Sequence, residues 1–142
     1  MADDIELSDP SVHTAWVTER IRFSDTDAMG HVNNIAIAAY FESGRIAMGM
    51  EIAGSTPHGA HAFTLARLTI DYRAELHYPG EVRVGSRVLR VGRTSYTMGS
   101  ALFTDGDRCT ATSESVVVML GPDGPHPIEG DLRQRLEELA AR

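Results

Sequence analysis

Residues 14–23 alternate between apolar and polar side chains. The apolar positions are Ala15, Val17, Ile21 and Phe23. This two-residue period predicts a half-buried β-strand. The polar segment S-D-T-D-A-M-G-H-V-N-N follows and is typical of a loop. Residues 1–13 are acidic and have no apolar period, so we expect a mobile lead-in to a single domain over residues 14–142.

The pattern changes at residue 35 to a long apolar run with only three charged side chains. The run lacks Pro, is rich in Ala and Met, and follows Asn33 and Asn34, which are good N-cap residues. It predicts a helix over residues 34–52 that is apolar around most of its circumference and is therefore buried. At about 1.5 Å per residue the helix is about 28 Å long, which matches the width of a small sheet.

Long alternation returns at residue 62 and predicts four further strands. They cover residues 62–76, 82–91, 96–103 and 110–120. Turn motifs separate them: Y-P-G-E, G-R-T-S and T-D-G-D, of which the last favours a tight hairpin. The motif G-P-D-G-P-H-P is expected to end the sheet, and the leucine spacing in residues 131–142 predicts a short amphipathic helix.

The order of these elements is a strand, a buried helix and four antiparallel strands. A sheet that curls around one apolar helix buries both, so the predicted fold class is α+β. Such a sheet leaves unpaired edges, which favour pairing with a second copy of the chain. We therefore expect a homodimer or a dimer of dimers.

Composition narrows the range of functions. The net charge is −7 and all 13 basic side chains are Arg, so we expect no nucleic-acid partner, no Schiff-base chemistry and no P-loop lysine. The lone Cys109 cannot form an internal disulfide and is interpreted as a small strand residue. The longest uncharged apolar stretch, residues 35–41, is too short to cross a bilayer, and the acidic N-terminus does not resemble a secretion signal. We expect a cytoplasmic protein without a membrane partner.

The loop before the predicted helix carries candidate chemistry. It contains Asp25, Asp27, Gly30, His31, Asn33 and Asn34. Unpaired N–H groups at a helix N-terminus can hold a carbonyl oxygen as it becomes an oxyanion. A carboxylate on the same loop can attack that carbonyl or deprotonate a water aimed at it. The alternative is structural: aspartates before a helix often serve its cap and dipole, and a lone loop histidine is usually only hydrogen-bonded.

Residues 25–45 resemble the signature of hotdog-fold acyl-CoA thioesterases of the 4-hydroxybenzoyl-CoA thioesterase family. The shared pattern is D-x-D-x-x-G-H-V-N-N followed by aromatic residues and E-x-x-R. The similarity continues more loosely through D-Y-R-A-E-L and the final S-V-V-V-M-L, so it covers residues 14–120. It implies a hotdog fold, hydrolysis of an acyl-CoA thioester to acid and CoA, and a site between two protomers.

The resemblance also implies roles for individual residues. Asp27 is the catalytic carboxylate, as nucleophile or general base, and the backbone N–H of Asn34 polarises the thioester carbonyl. Gly30 and His31 shape the loop around the substrate, whereas Asp25 holds the loop. Some hotdog thioesterases use a glutamate on the central helix, which makes Glu42 a fallback catalytic residue. Its alternative is an ion pair with Arg45 three residues on.

Substrate contacts are predicted at both ends of the thioester. Asn33 and Ile37 are assigned to substrate binding, and Ile37 stands where the family usually has an aromatic residue, which indicates a wider or more aliphatic acyl pocket. The phosphates of CoA require cationic or polar contacts, for which the segment Arg93, Thr94 and Ser95 is the best candidate.

No metal and no cofactor are expected, since CoA is part of the substrate. The H-x-x-H spacing of His58 and His61 lies on a Gly/Pro loop without a carboxylate in register. Two other functions stay open. One is a non-catalytic hotdog dimer that binds acyl-CoA. The other is an enoyl-CoA hydratase, whose D-x-N-P-x-H motif the chain does not match.

Overall fold

The structure is a computed structural model that describes residues 4–53 and 62–142. Within these residues the chain forms a six-stranded antiparallel sheet and two α-helices. In chain order the elements are β1 (Ala15–Arg20), α1 (Asn34–Ala53), β2 (Ala62–Tyr72), β3 (Glu81–Val91), β4 (Ser95–Thr104), β5 (Arg108–Gly121), β6 (Gly124–Pro125) and α2 (Gly130–Ala141). The predicted α+β class is confirmed, as are the helix, the four later strands and the C-terminal helix.

The strands are ordered β1-β3-β4-β5-β2, with the two-residue strand β6 paired to the end of β5. The chain therefore leaves β1 at one edge of the sheet and enters β2 at the opposite edge, with α1 between them. Pairing of Arg20 with Glu81 places the loop after β1 beside the start of β3. This loop carries the predicted catalytic residues.

Helix α1 packs closely on the β1–β3 side of the sheet. A Cβ atom added to Gly44 would lie 2.6 Å from Val84 Cγ1 and 3.0 Å from Ser86 Oγ, so only glycine permits this approach. Beneath the first half of the helix, Ile37 and Phe41 belong to a buried cluster that includes Leu102 on β4. A second cluster surrounds the end of α1 and the apolar face of α2, where Leu136 and Leu139 are fully buried.

Helix α1 is not buried around its circumference as predicted. Ile35 is 83% exposed, and Ile46 and Met50 are exposed as well. The same holds for the edge strand β2, where the apolar side chains of Leu65 and Tyr72 are both exposed. The reason is geometric: β2 lies at the sheet edge, beyond the part of the sheet that the helix covers.

Three boundaries differ from the prediction. The first strand ends at Arg20, and Phe23 lies in a short 3-10 turn, 74% exposed and stacked edge-to-face on Tyr78. The second strand stops at Tyr72 rather than at residue 76. The motif G-P-D-G-P-H-P does not simply end the sheet, because it contributes β6.

The segment predicted as a mobile lead-in makes tertiary contacts in its described part. The ring of His13 is buried, and its Nε2 lies 2.8 Å from the carbonyl oxygen of Leu7. Leu7 itself approaches Gly99 on β4. Among the described residues no helix is long and apolar enough to cross a membrane.

Candidate active site

The loop between β1 and α1 folds back on itself as a small hairpin. The N–H of Asp27 donates to the carbonyl of His31 at 2.9 Å, and the N–H of Asn33 donates to the carbonyl of Asp25 at 2.8 Å. The turn closes through a bond of 3.0 Å from the N–H of Gly30 to the carbonyl of Asp27, and Gly30 has a φ of +82°. Glycine takes this conformation without steric cost. The hairpin therefore brings Asp27 back beside the start of α1.

The Asp27 carboxylate is exposed, and one of its two oxygens is held by the backbone. Asp27 Oδ1 accepts the N–H of Met29 at 2.9 Å and the N–H of His31 at 3.3 Å. Among the described residues no donor lies within hydrogen-bonding distance of Oδ2. One oxygen thus fixes the side chain on its loop, while the other is available to a water or a substrate.

The N-terminus of α1 is capped by Asn33. Its Oδ1 accepts the N–H of Ala36 at 2.7 Å, and its carbonyl accepts the N–H of Ile37 at 3.1 Å. Asn34 is the first helical residue and is exposed. Because the first N–H groups of a helix have no intrahelical acceptor, those of Asn34 and Ile35 are left to bind an oxygen from outside the helix.

Asp25 anchors the loop between β1 and α1 to the buried part of the structure. It is buried, and its Oδ2 accepts a hydrogen bond of 2.6 Å from the hydroxyl of Tyr40 and one of 2.9 Å from the N–H of Arg22. Burial by itself raises the pKa of Asp25, but these hydrogen bonds and the Arg22 charge outweigh it, so the pKa lies below the ordinary value. Burial and the Asp25 carboxylate raise the pKa of Tyr40. Asp25 is an ionised anchor, in agreement with its predicted role.

A groove of about 320 Å³ lies beside the helix N-terminus. His31, Asn34 and Ile37 form one side of it, and the segment from Tyr72 to Leu76 forms the other. Ile37 is buried at its base. The structure therefore brings four predicted site residues, His31, Asn33, Asn34 and Ile37, close to one groove and to Asp27.

Two residues beside this groove were not among the predicted site residues. Glu75 Oε1 lies 3.3 Å from His31 Nε2, and Glu75 Oε2 lies 3.2 Å from His77 Nε2. The two imidazole rings meet edge to face with centroids 5.2 Å apart. Neither Glu75 nor His77 belongs to the motif that predicted the site, and both follow β2. The one available signal was the E-x-H spacing directly after that strand.

The fallback residue Glu42 lies elsewhere, on a cavity of about 640 Å³ between α1, the start of β2 and α2. This cavity is mainly apolar, with Phe63 and Leu65 on its β2 side. Among the described residues Glu42 makes no ion pair, so the predicted pair with Arg45 does not form. Nη1 of Arg45 is buried and has no hydrogen-bond partner in the part of the chain that the structure describes. Burial lowers the pKa of Arg45, and the charge of Glu42 opposes that shift.

The predicted CoA-binding segment lies away from this loop within one chain. Arg93, Thr94 and Ser95 follow the end of β3, whereas the Asp27 loop lies beside its start. Eleven residues of extended strand separate the two by about 30 Å. The structure does not bring these groups together in one protomer. His58 and His61 lie outside the described residues.

Comparison with known proteins gives a consistent result. A family model described as the thioesterase-like superfamily matches residues 21–136. A relative from Bacillus subtilis (strain 168), the uncharacterized protein YsmA, is 30% identical over 78 residues. That match covers 55% of this chain and 53% of YsmA, so the chain spans about half the length of this relative.

Solved structures share the fold over most of the chain. A thioesterase from Thermus thermophilus, crystallised with coenzyme A and Zn, is 32% identical with a TM-score of 0.79, covering 90% of this chain and 95% of its own. A thioesterase-superfamily protein from Jannaschia sp. CCS1 is 30% identical with a TM-score of 0.80, covering 91% and 84%. The DHNA-CoA thioesterase of Staphylococcus aureus, 18% identical with a TM-score of 0.77 over 89% and 91%, shows the fold alone. The predicted hotdog fold is confirmed.

Proposed function

Because the chain belongs to the thioesterase-like superfamily, we propose that it hydrolyses acyl-CoA thioesters to a free carboxylic acid and CoA. Thioester hydrolysis in general follows from the family. The acyl-CoA substrate and the residues that act on it are our proposal. The observation that carries it is the Asp27 carboxylate, fixed through one oxygen on the hairpin that leads into the N-terminus of α1.

Asp27 supplies the carboxylate for the reaction. As a general base, Oδ2 removes a proton from water, the hydroxide adds to the carbonyl carbon, and the C–S bond breaks as the CoA thiolate leaves and takes up a proton. As a nucleophile, the same oxygen adds to the carbonyl carbon, the C–S bond breaks and the CoA thiolate leaves; water then hydrolyses the resulting anhydride to the free acid and the Asp27 carboxylate, and its proton is taken up by the thiolate. Both routes need the exposed, unpartnered Oδ2. Asp25 is unsuited to either, because Tyr40 and Arg22 already bind its oxygens.

The N–H of Asn34 polarises the thioester carbonyl. It lies at the positive end of α1 and has no intrahelical acceptor, so it can donate to the oxygen on which negative charge develops. The Asn33 cap fixes the orientation of this first turn. The acyl group lies in the groove over Ile37, where the aliphatic side chain provides an apolar surface.

We further propose that two protomers pair along the edge strand β2. Within the described residues of one chain this edge pairs with no other strand, and apolar side chains are exposed on β2 and on α1. These are Ile46, Met50, Leu65 and Tyr72. Burying them would remove an exposed apolar surface of the kind that marks an interface. Arg93, Thr94 and Ser95 would then contact CoA from the second protomer, because they are remote from Asp27 in their own chain.

The Thermus thermophilus protein supports CoA as the leaving group, because that relative was crystallised with coenzyme A. We expect no further cofactor for hydrolysis. The cytoplasmic location expected from the sequence stays a prediction.

The test is a panel of short, branched, aromatic and long acyl-CoAs, with a thiol reagent that detects released CoA. Wild-type protein is expected to release CoA from at least one member, and Asp27→Asn to lose this activity while binding the same acyl-CoA with unchanged affinity. Asparagine keeps the Oδ1 acceptor for Met29 and His31, so the loop should persist.

Two results would contradict the proposal. Binding across the panel without turnover would favour a non-catalytic acyl-CoA-binding dimer. Hydration of a crotonyl-type substrate without release of CoA would favour a hydratase.

A further inference from the structure

The side chains of His31, Glu75 and His77 take part in no bond-making or bond-breaking step of the proposed reaction. Each residue offers one ligand atom, and these atoms all lie within 4.8 Å of one another. His31 is half-buried on the wall of the groove, whereas Glu75 and His77 are exposed beside it. We propose that these three side chains bind a divalent metal ion of the zinc class.

The hydrogen bonds of His77 are the first argument. Its Nδ1 lies 3.4 Å from the carbonyl oxygen of Gly30, and its Nε2 lies 3.2 Å from Glu75 Oε2. A carbonyl oxygen and a carboxylate oxygen are both acceptors, whereas a neutral imidazole has only one N–H to donate. With a single N–H the ring can donate to only one of these two oxygens, so the other ring nitrogen faces an acceptor unless a cation lies between them. A metal ion at Nε2 satisfies the ring, with Nδ1–H donating to Gly30.

This arrangement is also the one that orients a metal-bound histidine. A ligating imidazole almost always donates its other N–H to a carbonyl or a carboxylate, which fixes the tautomer and the ring plane. The Gly30 carbonyl is that partner for His77. Its position depends on the turn at Gly30, so the loop that presents Asp27 also orients the ligand.

The distances suit the ion. Two ligand atoms about 2.05 Å from a tetrahedral Zn²⁺ lie about 3.3 Å apart. Glu75 Oε1 lies 3.3 Å from His31 Nε2 and Glu75 Oε2 lies 3.2 Å from His77 Nε2, so each imidazole is near this separation from one oxygen of the carboxylate. The ligand nitrogens of His31 and His77 lie within 4.8 Å of each other, and rotation of the exposed His77 side chain can bring them closer. Two imidazoles and one carboxylate form a ligand set found in zinc sites that keep a fourth position open to water or another ligand.

The proposed ion would join two segments that are distant in sequence. His31 belongs to the hairpin that carries Asp27, and Glu75 and His77 follow β2. Metal binding would clamp the hairpin against the opposite side of the groove. The proposal does not depend on thioesterase activity, because it concerns an ion on these three side chains whatever acyl group is bound.

The test is equilibrium dialysis of the full chain against Zn²⁺, with metal and protein measured in the same sample. Wild-type protein is expected to hold one Zn²⁺ per chain. Loss of even an outer partner of a zinc ligand weakens binding about 10- to 100-fold, so His77→Ala and Glu75→Gln should each weaken it by at least about 100-fold. Co²⁺ in place of Zn²⁺ should give the strong visible absorption of a tetrahedral site in wild-type protein and not in either variant.

Matched controls separate this site from other histidines. His126→Ala removes an exposed imidazole whose Nδ1 bonds only to the neighbouring Pro127 carbonyl, and it should bind Zn²⁺ like wild type. The double variant His58→Ala/His61→Ala removes the H-x-x-H pair and should also bind normally. Circular dichroism and thermal melting of the metal-free variants verify that each is folded.

Three outcomes would overturn the proposal. The first is that wild-type protein binds no stoichiometric Zn²⁺. The second is that the folded His77→Ala and Glu75→Gln variants bind Zn²⁺ as tightly as wild type. The third is that the His58/His61 double variant loses Zn²⁺ binding. Each differs from failure of the proposed function, because the measurement is bound metal and not release of CoA.

Discussion

The close contact between α1 and β3 predicts opposite effects for two glycine-to-alanine changes on one helix. At Gly44 an added Cβ would lie 2.6 Å from Val84 Cγ1, about 1 Å less than an ordinary carbon–carbon contact. Val84 is fully buried and β-branched, so it cannot turn aside. At Gly49 an added Cβ would meet no atom of the described residues within 4 Å. Gly49→Ala is therefore the matched control.

The magnitudes follow from these contacts. Overpacking a core costs about 1–3 kcal/mol. Replacing a helical glycine by alanine contributes about 0.5–1 kcal/mol in the other direction. Gly44→Ala should therefore destabilise the fold by about 1 kcal/mol, and Gly49→Ala should stabilise it by about 0.5–1 kcal/mol. At about 3 °C per kcal/mol for a chain of this size, the two melting temperatures should differ by roughly 5 °C.

Thermal unfolding of both variants, followed by circular dichroism and checked by urea denaturation, measures this difference. The reasoning would be refuted if Gly44→Ala melted at or above the temperature of Gly49→Ala. The reasoning would also fail if wild-type protein melted below both variants, because Gly44→Ala would then be stabilising.

Three further predictions concern single side chains. Asp25→Asn should destabilise the fold by about 2 kcal/mol at pH 7, since hydrogen bonds to a charged group weaken. Because the folded-state pKa of Asp25 is lowered, this stabilisation is present above the ordinary value of 3.8 and is lost as the pH falls through the folded-state pKa, so the gap in urea stability between wild type and variant should close in acid, and a constant gap would contradict this. Arg45→Met should be neutral or stabilising by about 1 kcal/mol, because the buried Nη1 has no partner, and a clear loss in urea unfolding would show that the guanidinium is satisfied. Leu65→Arg places a charge on the proposed β2 interface, so sedimentation should show a monomer in place of the dimer and CoA release should fall, whereas Arg67→Ala on the same strand should change neither. A dimer that persists in Leu65→Arg would exclude pairing through β2.

Hydrophobic periodicity was sufficient to predict the helices and strands whose buried faces are covered by other parts of the same chain. The predicted helix over residues 34–52 differs by one residue from α1, and β3, β4 and β5 start and end within two residues of their predicted bounds. Periodicity failed where burial depends on position in the sheet. The alternation in β2 is genuine, but β2 is an edge strand, so Leu65 and Tyr72 are exposed and Phe63 and Ile70 are only partly buried against the core.

The candidate site was predictable to the extent that it is local in sequence. The motif placed Asp27, Gly30 and the Asn33 cap on one loop, and the hairpin hydrogen bonds connect all three. Sequence spacing could not bring in Glu75 and His77, because they reach His31 only after the chain has crossed from one edge of the sheet to the other. Sequence spacing also could not decide whether Glu42 or Asp27 is the catalytic carboxylate, because it does not show that Glu42 lies on the larger cavity, away from the Asp27 loop.

The central claim is that Asp27, and not the helix carboxylate Glu42, acts on the thioester. The direct measurement is kcat for CoA release by Asp27→Asn and Glu42→Gln, on the acyl-CoA that wild-type protein turns over fastest. Removing a general base or a nucleophile costs at least about 100-fold, so Asp27→Asn should lose that much or more while Glu42→Gln keeps kcat within about threefold of wild type. Loss of turnover in Glu42→Gln, with Asp27→Asn still active, would contradict the account.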